Sequence, residues 1–153
     1  MDALTLPATL DSLDAIGQYV KDAAETAGLD GKAAYNLRLA VDEIATNIVL
    51  YAYRDSGVGG DVTIRGELSD ELLTITLEDT GTSFDPRERK APDADDLSTP
   101  LEDRPIGGLG IFLVLRGVDE FSYERVDDRN RNIFVARRPA APNEPQESNA
   151  VSR

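Results

Sequence analysis

The sequence predicts an α+β fold: a two-layer α/β sandwich in which helices cover one face of a mostly antiparallel sheet. Three observations carry this. Residues 62–77 hold two apolar/polar alternations of period two separated by a turn, and residues 121–136 hold a second such pair; each reads as a hairpin. Residues 13–27 and 30–53 carry apolar residues at helical spacing instead. The resulting order is β-α-α-β-β-loop-α-β-β.

Residues 3–6 alternate briefly and predict a first strand. Asp11 or Ser12 is expected to cap a helix running to about Ala27, with Gly28 at its C-cap. Leu13, Ile16, Val20, Ala23 and Ala24 give that helix one buried face. Asp30 is expected to open a longer helix to about Tyr53, whose apolar stripe is Leu37, Val41, Ile44 and Ile48. Residues 56–60, SGVGG, read as a loop. Val62, Ile64 and Gly66, then Leu73, Ile75 and Leu77, mark two strands turning at Ser69-Asp70, and the second strand ends at Asp79. Residues 86–105 are rich in proline and charge and have almost no apolar periodicity. An irregular stretch of about 20 residues inside a domain is often a lid or binding loop. Residues 106–110, IGGLG, lead into an apolar helix expected at 111–115. Residues 121–126 and 132–136 form the last hairpin, turning near Asp127-Asp128. The tail from Pro139 is poor in bulky apolar residues and is expected to be disordered. One domain is expected over 1–138, followed by the tail at 139–153.

The 153 residues suffice for a single buried core. There is no cysteine, which excludes disulfides, zinc ribbons and thiol nucleophiles, and no histidine, which excludes Ser-His-Asp triads and histidine bases. No apolar run approaches the roughly 18 residues of a membrane span. The N-terminus has no basic region, so no signal peptide is expected. The net charge of −13 repels nucleic acid and anionic membranes, and neither is expected as a partner. An anionic ligand would need local devices: a helix N-terminus, glycine-rich backbone or a divalent cation.

Three constellations could carry chemistry. Glu43 and Asn47 lie four apart, on one helical face beside the apolar stripe. A carboxylate there can act as a base and an asparagine carbonyl suits magnesium, although such a pair also serves as an ordinary polar boundary. Residues 78–85, EDTGTSFD, place Asp79 at a strand end before a glycine turn. An ionised carboxylate only accepts hydrogen bonds, so it can read an exocyclic amine such as that of adenine; a plain Asp/Gly turn is the alternative. Gly107, Gly108 and Gly110 stand at a helix start, where bare N–H groups can approach phosphates or simply allow close packing. No Gly-Lys-Ser/Thr follows, so this is no Walker A loop. In this order, the three describe a nucleotide site with a lid.

The segment LRLAVDEIATNIVLYAY resembles the N box of the GHKL ATPase superfamily (gyrase, Hsp90, histidine kinase and MutL type). LEDTGTSFDP resembles its G1 box and RPIGGLGIFLV its G2 box. The small size and the wording of the boxes resemble the anti-sigma factor serine/threonine-protein kinase branch, over residues 3 to 138. The resemblance implies a Bergerat-type ATP site using ATP and Mg²⁺. Glu43 would polarise the attacking hydroxyl and Asn47 would hold Mg²⁺. Asp79 would bind the adenine amine, with Gly81 making room for the ring. Gly108 and Gly110 would face the phosphates. Phe84, Gly107, Leu109 and Asn132 complete the implied binding set. Residues 86–105 would be the lid, with Arg104 near the γ-phosphate.

The partners implied are a sigma factor and a STAS-type anti-anti-sigma protein whose serine is phosphorylated, with the kinase a cytoplasmic homodimer. The chain departs from the family pattern at Tyr51, where histidine is frequent, and at Ser83, which replaces a glycine. It departs again at Asn132, where a threonine often supports the adenine aspartate and an asparagine amide could make a similar contact. Two other readings compete: a nucleotide-dependent binding module without turnover, and a histidine-kinase catalytic domain. The latter would need its phosphoacceptor histidine on another chain.

Overall fold

A computed structural model describes residues 1–53, 59–88 and 115–139. Five strands form one antiparallel sheet: β1 (Leu4–Pro7), β2 (Asp61–Leu68), β3 (Leu72–Asp79), β4 (Glu120–Val126) and β5 (Arg129–Arg137), in the order β1-β2-β3-β5-β4. Helices α1 (Leu13–Ala27) and α2 (Gly31–Asn47) pack on one face. This is the α+β sandwich that the hairpin and helix patterns predict.

Local chemistry explains the element ends. Gly28 closes α1 with a left-handed backbone (φ 77°), and Leu29 N–H then reaches back to Ala24 O at 3.0 Å. Asp30 caps α2 as expected: its Oδ1 accepts from Ala33 N–H at 2.7 Å. The start of α1 differs from the expectation of a capping Asp11 or Ser12. A 3₁₀ turn (Leu10–Ser12) leads directly into the helix, and Ser12 makes no side-chain cap bond. Helix α2 also ends earlier than its apolar stripe suggests. Ile48–Ala52 widens into a π-helical turn, which keeps Ile48 in the core while swinging Tyr51 and Ala52 toward the end of the sheet.

The core joins Ile16, Val20 and Ala23 of α1 with Leu37, Val41 and Ile44 of α2, over Val62, Ile64, Leu73, Ile75, Leu77 and Phe134 of the sheet. Phe121 meets the Phe134 ring edge-on, with centroids 5.1 Å apart. Gly66 lies in β2 beyond the end of the β1 pairing, so the Tyr19 hydroxyl accepts from its otherwise unpaired N–H at 2.8 Å.

The strand register decides where the site sits. Gly66, Ile75 and Phe134 align across the sheet on the helix-facing side; one step along come Ile64, Leu77 and Asn132, and then Val62, Asp79 and Asn130. The covered face is therefore apolar at one end and turns polar at the other, with Asp79 4%, Asn130 3% and Asn132 2% exposed. Buried polar groups must find partners or a ligand.

Candidate functional site

The polar end of the sheet faces the π-helical turn across a partly open cleft. Ile44, Asn47, Ile48, Tyr51 and Ala52 line one side of it. Asp79, Asn130 and Asn132 come from the sheet, and Thr82, Ser83, Phe84 and Pro86 from the loop after β3.

Asp79 is held at the floor. Its Oδ1 accepts from Gly81 N–H at 2.9 Å and from the Asn130 side-chain amide at 2.9 Å. Both bonds fall on one oxygen; among the described residues no donor reaches Oδ2, and that atom is not sealed off. Burial pushes the Asp79 carboxyl above its ordinary range, against the opposing pull of the Asn130 and Gly81 hydrogen bonds and the Arg125 charge.

The loop after β3 is tied down from both sides. On the helix side, Thr82 N–H donates to Ala52 O at 2.8 Å, and the Tyr53 hydroxyl accepts from Thr80 N–H at 3.0 Å while donating to Asp61 O at 2.7 Å. On the sheet side, Arg125 donates to Gly81 O at 2.9 Å, and the Asn130 amide donates to Thr82 O at 3.0 Å. Gly81 has a direct packing reason to be glycine: a Cβ there would lie 2.4 Å from Ala52 O. The close approach it permits is to the π-helical turn.

Asn47 lines the cleft and is 4% exposed. Its amide donates to Glu43 O at 3.1 Å one turn back, and its Oδ1 is buried without a partner among the described residues. Glu43 is half-buried on the same helical face, but it is not among the residues lining the cleft. Phe84 lines the cleft at its mouth and is 37% exposed. Asn132 also lines it, with Oδ1 buried and unpartnered. The contact to Asp79 anticipated for Asn132 is made by Asn130 instead, because the register sets Asn130 opposite Asp79 and Asn132 opposite Leu77. Arg104, Gly107, Gly108, Leu109 and Gly110 lie outside the described residues, as does most of 86–105.

Asn130 is the residue that sequence reasoning missed. Residues 129–132 alternate Arg and Asn, and the apolar signal of the strand begins only at Ile133. The clue available was the period of two itself: Asn130 and Asn132 are in phase with Phe134 and Ala136, which face the core.

Residues 6–136 match the model of the histidine kinase-like ATPase domain. This chain belongs to that family. As a member of the histidine kinase-like ATPase domain family, it has a fold and a domain type that imply ATP binding. Among curated relatives, the serine-protein kinase RsbW of Listeria monocytogenes serovar 1/2a is 31% identical over 118 residues, covering 76% of this chain and 74% of that protein. Serine-protein kinase RsbW of Bacillus cereus strain B4264 is 29% identical over 118 residues, covering 76% and 72%. Among solved structures, the histidine kinase domain from the Erythrobacter litoralis EL346 blue-light activated histidine kinase aligns over 86% of this chain, with 19% identity and a TM-score of 0.49. The chain spans 61% of that protein's length. Among the described residues, no helix is long and apolar enough to cross a membrane.

Proposed function

We propose that this histidine kinase-like ATPase domain is an ATP-dependent serine/threonine-protein kinase. It acts as an anti-sigma regulatory factor that phosphorylates a STAS-type anti-anti-sigma protein. One observation carries the nucleotide reading: a buried carboxylate, Asp79, keeps one acceptor oxygen open to the cleft. An acceptor-only group there suits a base that presents an amine, as adenine does. The relatives named serine-protein kinase support the choice of reaction.

The residues present fit a magnesium ion held jointly with phosphates. Asn47 Oδ1 is a hard oxygen donor, buried and unpartnered. Magnesium is commonly held by one or two protein ligands together with substrate phosphates, and Asn47 would be such a ligand. When bound, the ion would neutralise charge on the transferring phosphoryl group.

Phosphoryl transfer depends mostly on positioning and charge, and the chain's part is correspondingly simple. Asp79 holds the base, Phe84 and the π-helical turn hold it laterally, and Asn47 stands toward the phosphates. Glu43, one turn before Asn47, receives the proton of the attacking serine hydroxyl. The γ-phosphoryl leaves ADP and forms the new bond to the serine oxygen. By the resemblance to the GHKL boxes, Gly108 and Gly110 would face the phosphates, with Arg104 near the γ-phosphate. Adding about −2 charge to the antagonist beside a chain of net charge −13 favours its release, which suits a partner switch with a sigma factor.

A binding module without turnover is favoured by one observation, the position of Glu43 outside the cleft lining. Glu43→Gln separates the two readings. As a kinase, the variant loses transfer of labelled γ-phosphate to a STAS-domain protein while retaining ATP binding. Transfer at the wild-type rate would overturn the assignment of the base.

A further inference from the structure

Asn130 stands opposite Asp79 in the β3–β5 register, and its amide can face only one way. Its Oδ1 accepts from the Tyr123 hydroxyl and from Arg125 Nη1, the latter at 3.1 Å. Its Nδ2 donates to Asp79 Oδ1 at 2.9 Å and Thr82 O at 3.0 Å, with Gly81 O at 3.3 Å. A flipped amide would set an oxygen against three acceptors and an NH₂ group against the Arg125 guanidinium, which can only donate. Tyr123 and Arg125 on β4 therefore impose the orientation, and Asn130 passes it to Asp79 across the next strand.

The consequence lies in the direction of the Asp79 lone pairs. A carboxylate accepts hydrogen bonds in its own plane. The amide of Asn130 and the N–H of Gly81 both engage Oδ1, so they set that plane and leave Oδ2 as an acceptor aimed into the cleft. The same amide holds the Gly81 and Thr82 carbonyls, which keeps the cleft wall in register with the carboxylate.

We propose that Asn130, locked by Tyr123 and Arg125, is the positioning residue that makes this site select a base bearing an exocyclic amine over one bearing a carbonyl at the same position. The inference rests on the nucleotide reading above and deepens it. A carbonyl oxygen facing Oδ2 would bring two acceptors together in a buried place with no proton between them. With Asn130 gone, the carboxylate can turn, water can enter beside it, and the penalty on the carbonyl base falls. Asn130 itself does not touch the base in this account.

The test is the ratio of ATP to GTP dissociation constants, measured by titration calorimetry on the full chain with thermal melts alongside. The wild type is expected to prefer ATP. Asn130→Ala should lower the preference about tenfold, the size of one buried hydrogen bond to a charged group. Tyr123→Phe, which removes only the hydroxyl, should lower it about threefold. An unchanged ratio in a folded Asn130→Ala protein, even with both affinities weakened together, would make Asn130 merely structural and overturn the proposal. Should Asn130→Ala fail to fold, Tyr123→Phe decides, and a wild-type ratio there overturns it equally. A wild-type chain that binds no ATP would sink the nucleotide reading itself, and this inference with it.

Discussion

Asp79 and Asn130 face each other across paired strands and share a hydrogen bond of 2.9 Å, at the one place where the helix-facing side of the sheet turns polar. The nucleotide reading of the cleft depends on the oriented carboxylate that results.

Replacing it isosterically is the sharpest perturbation. In Asp79→Asn, the side-chain oxygen still accepts from Gly81 and Asn130, while an NH₂ group replaces Oδ2 toward the cleft. ATP affinity should fall about 100-fold, because two donors then oppose each other. GTP should lose much less. Competition titrations of the two nucleotides measure both.

Stability should move the other way in the same variant. Burial raises the Asp79 carboxyl above 3.8, its ordinary value. Between that value and the raised one, the folded state binds more protons than the unfolded state, so this group's contribution falls as pH rises through the window. Above it, ionised Asp79 opposes folding. Urea unfolding of the ATP-free chain should show Asp79→Asn at least as stable as wild type at pH 7, with the gap closing as the pH is lowered toward 4. Asp85 provides the opposite sign. Burial acts to raise it too, but the hydrogen bonds and charge of Arg87 outweigh that, and its contribution is lost in acid.

Gly81→Ala should damage the cleft through packing. Its Cβ would meet Ala52 O at 2.4 Å and force the loop off the π-helical turn, breaking the Thr82–Ala52 bond. A loss of roughly 1–3 kcal/mol is expected, together with weaker ATP binding. Gly28→Ala is the control. It strains a left-handed helix end by about 1 kcal/mol, far from the cleft, and should leave ATP affinity unchanged. Thermal melts with and without ATP distinguish the two.

Asn47→Ala should uncouple nucleotide binding from magnesium. The Asn47 Oδ1 is buried and unpartnered among the described residues, as a magnesium ligand's oxygen would be in the ion's absence. The variant's affinity for ATP with magnesium should fall about tenfold, toward the wild-type value in EDTA, with little change in stability. A full magnesium effect in the variant would remove Asn47 as a ligand.

The layers, the hairpins and the positions of Asp79 and Asn47 were legible because they rest on strong local signals. Period-two runs such as Leu73, Ile75 and Leu77 gave the strands, Asp30 gave a helix cap, and an aspartate at a strand end gave the cleft floor. The π-helical turn was not legible, since Ile48 and its neighbours fit an unbroken α-helical stripe; only the docking of Thr82 on Ala52 shows why the helix changes there. Asn130 was hidden for a related reason. Strand β5 begins at Arg129, right after the Asp127-Asp128 turn, with Asp127 in the left-handed region (φ 56°). Its first inward positions are asparagines, whose partners lie on β3 and β4 and cannot be read from β5 alone.

The most direct measurement is transfer itself. The purified chain would be incubated with magnesium and γ-labelled ATP in the presence of a STAS-domain antagonist, followed by phosphoamino-acid analysis of the antagonist. A kinase of this kind leaves acid-stable label on a serine of the antagonist, and Asp79→Asn abolishes it. ATP bound with no label transferred would contradict the kinase and leave a binding module; acid-labile label would assign the chain to histidine phosphorylation instead.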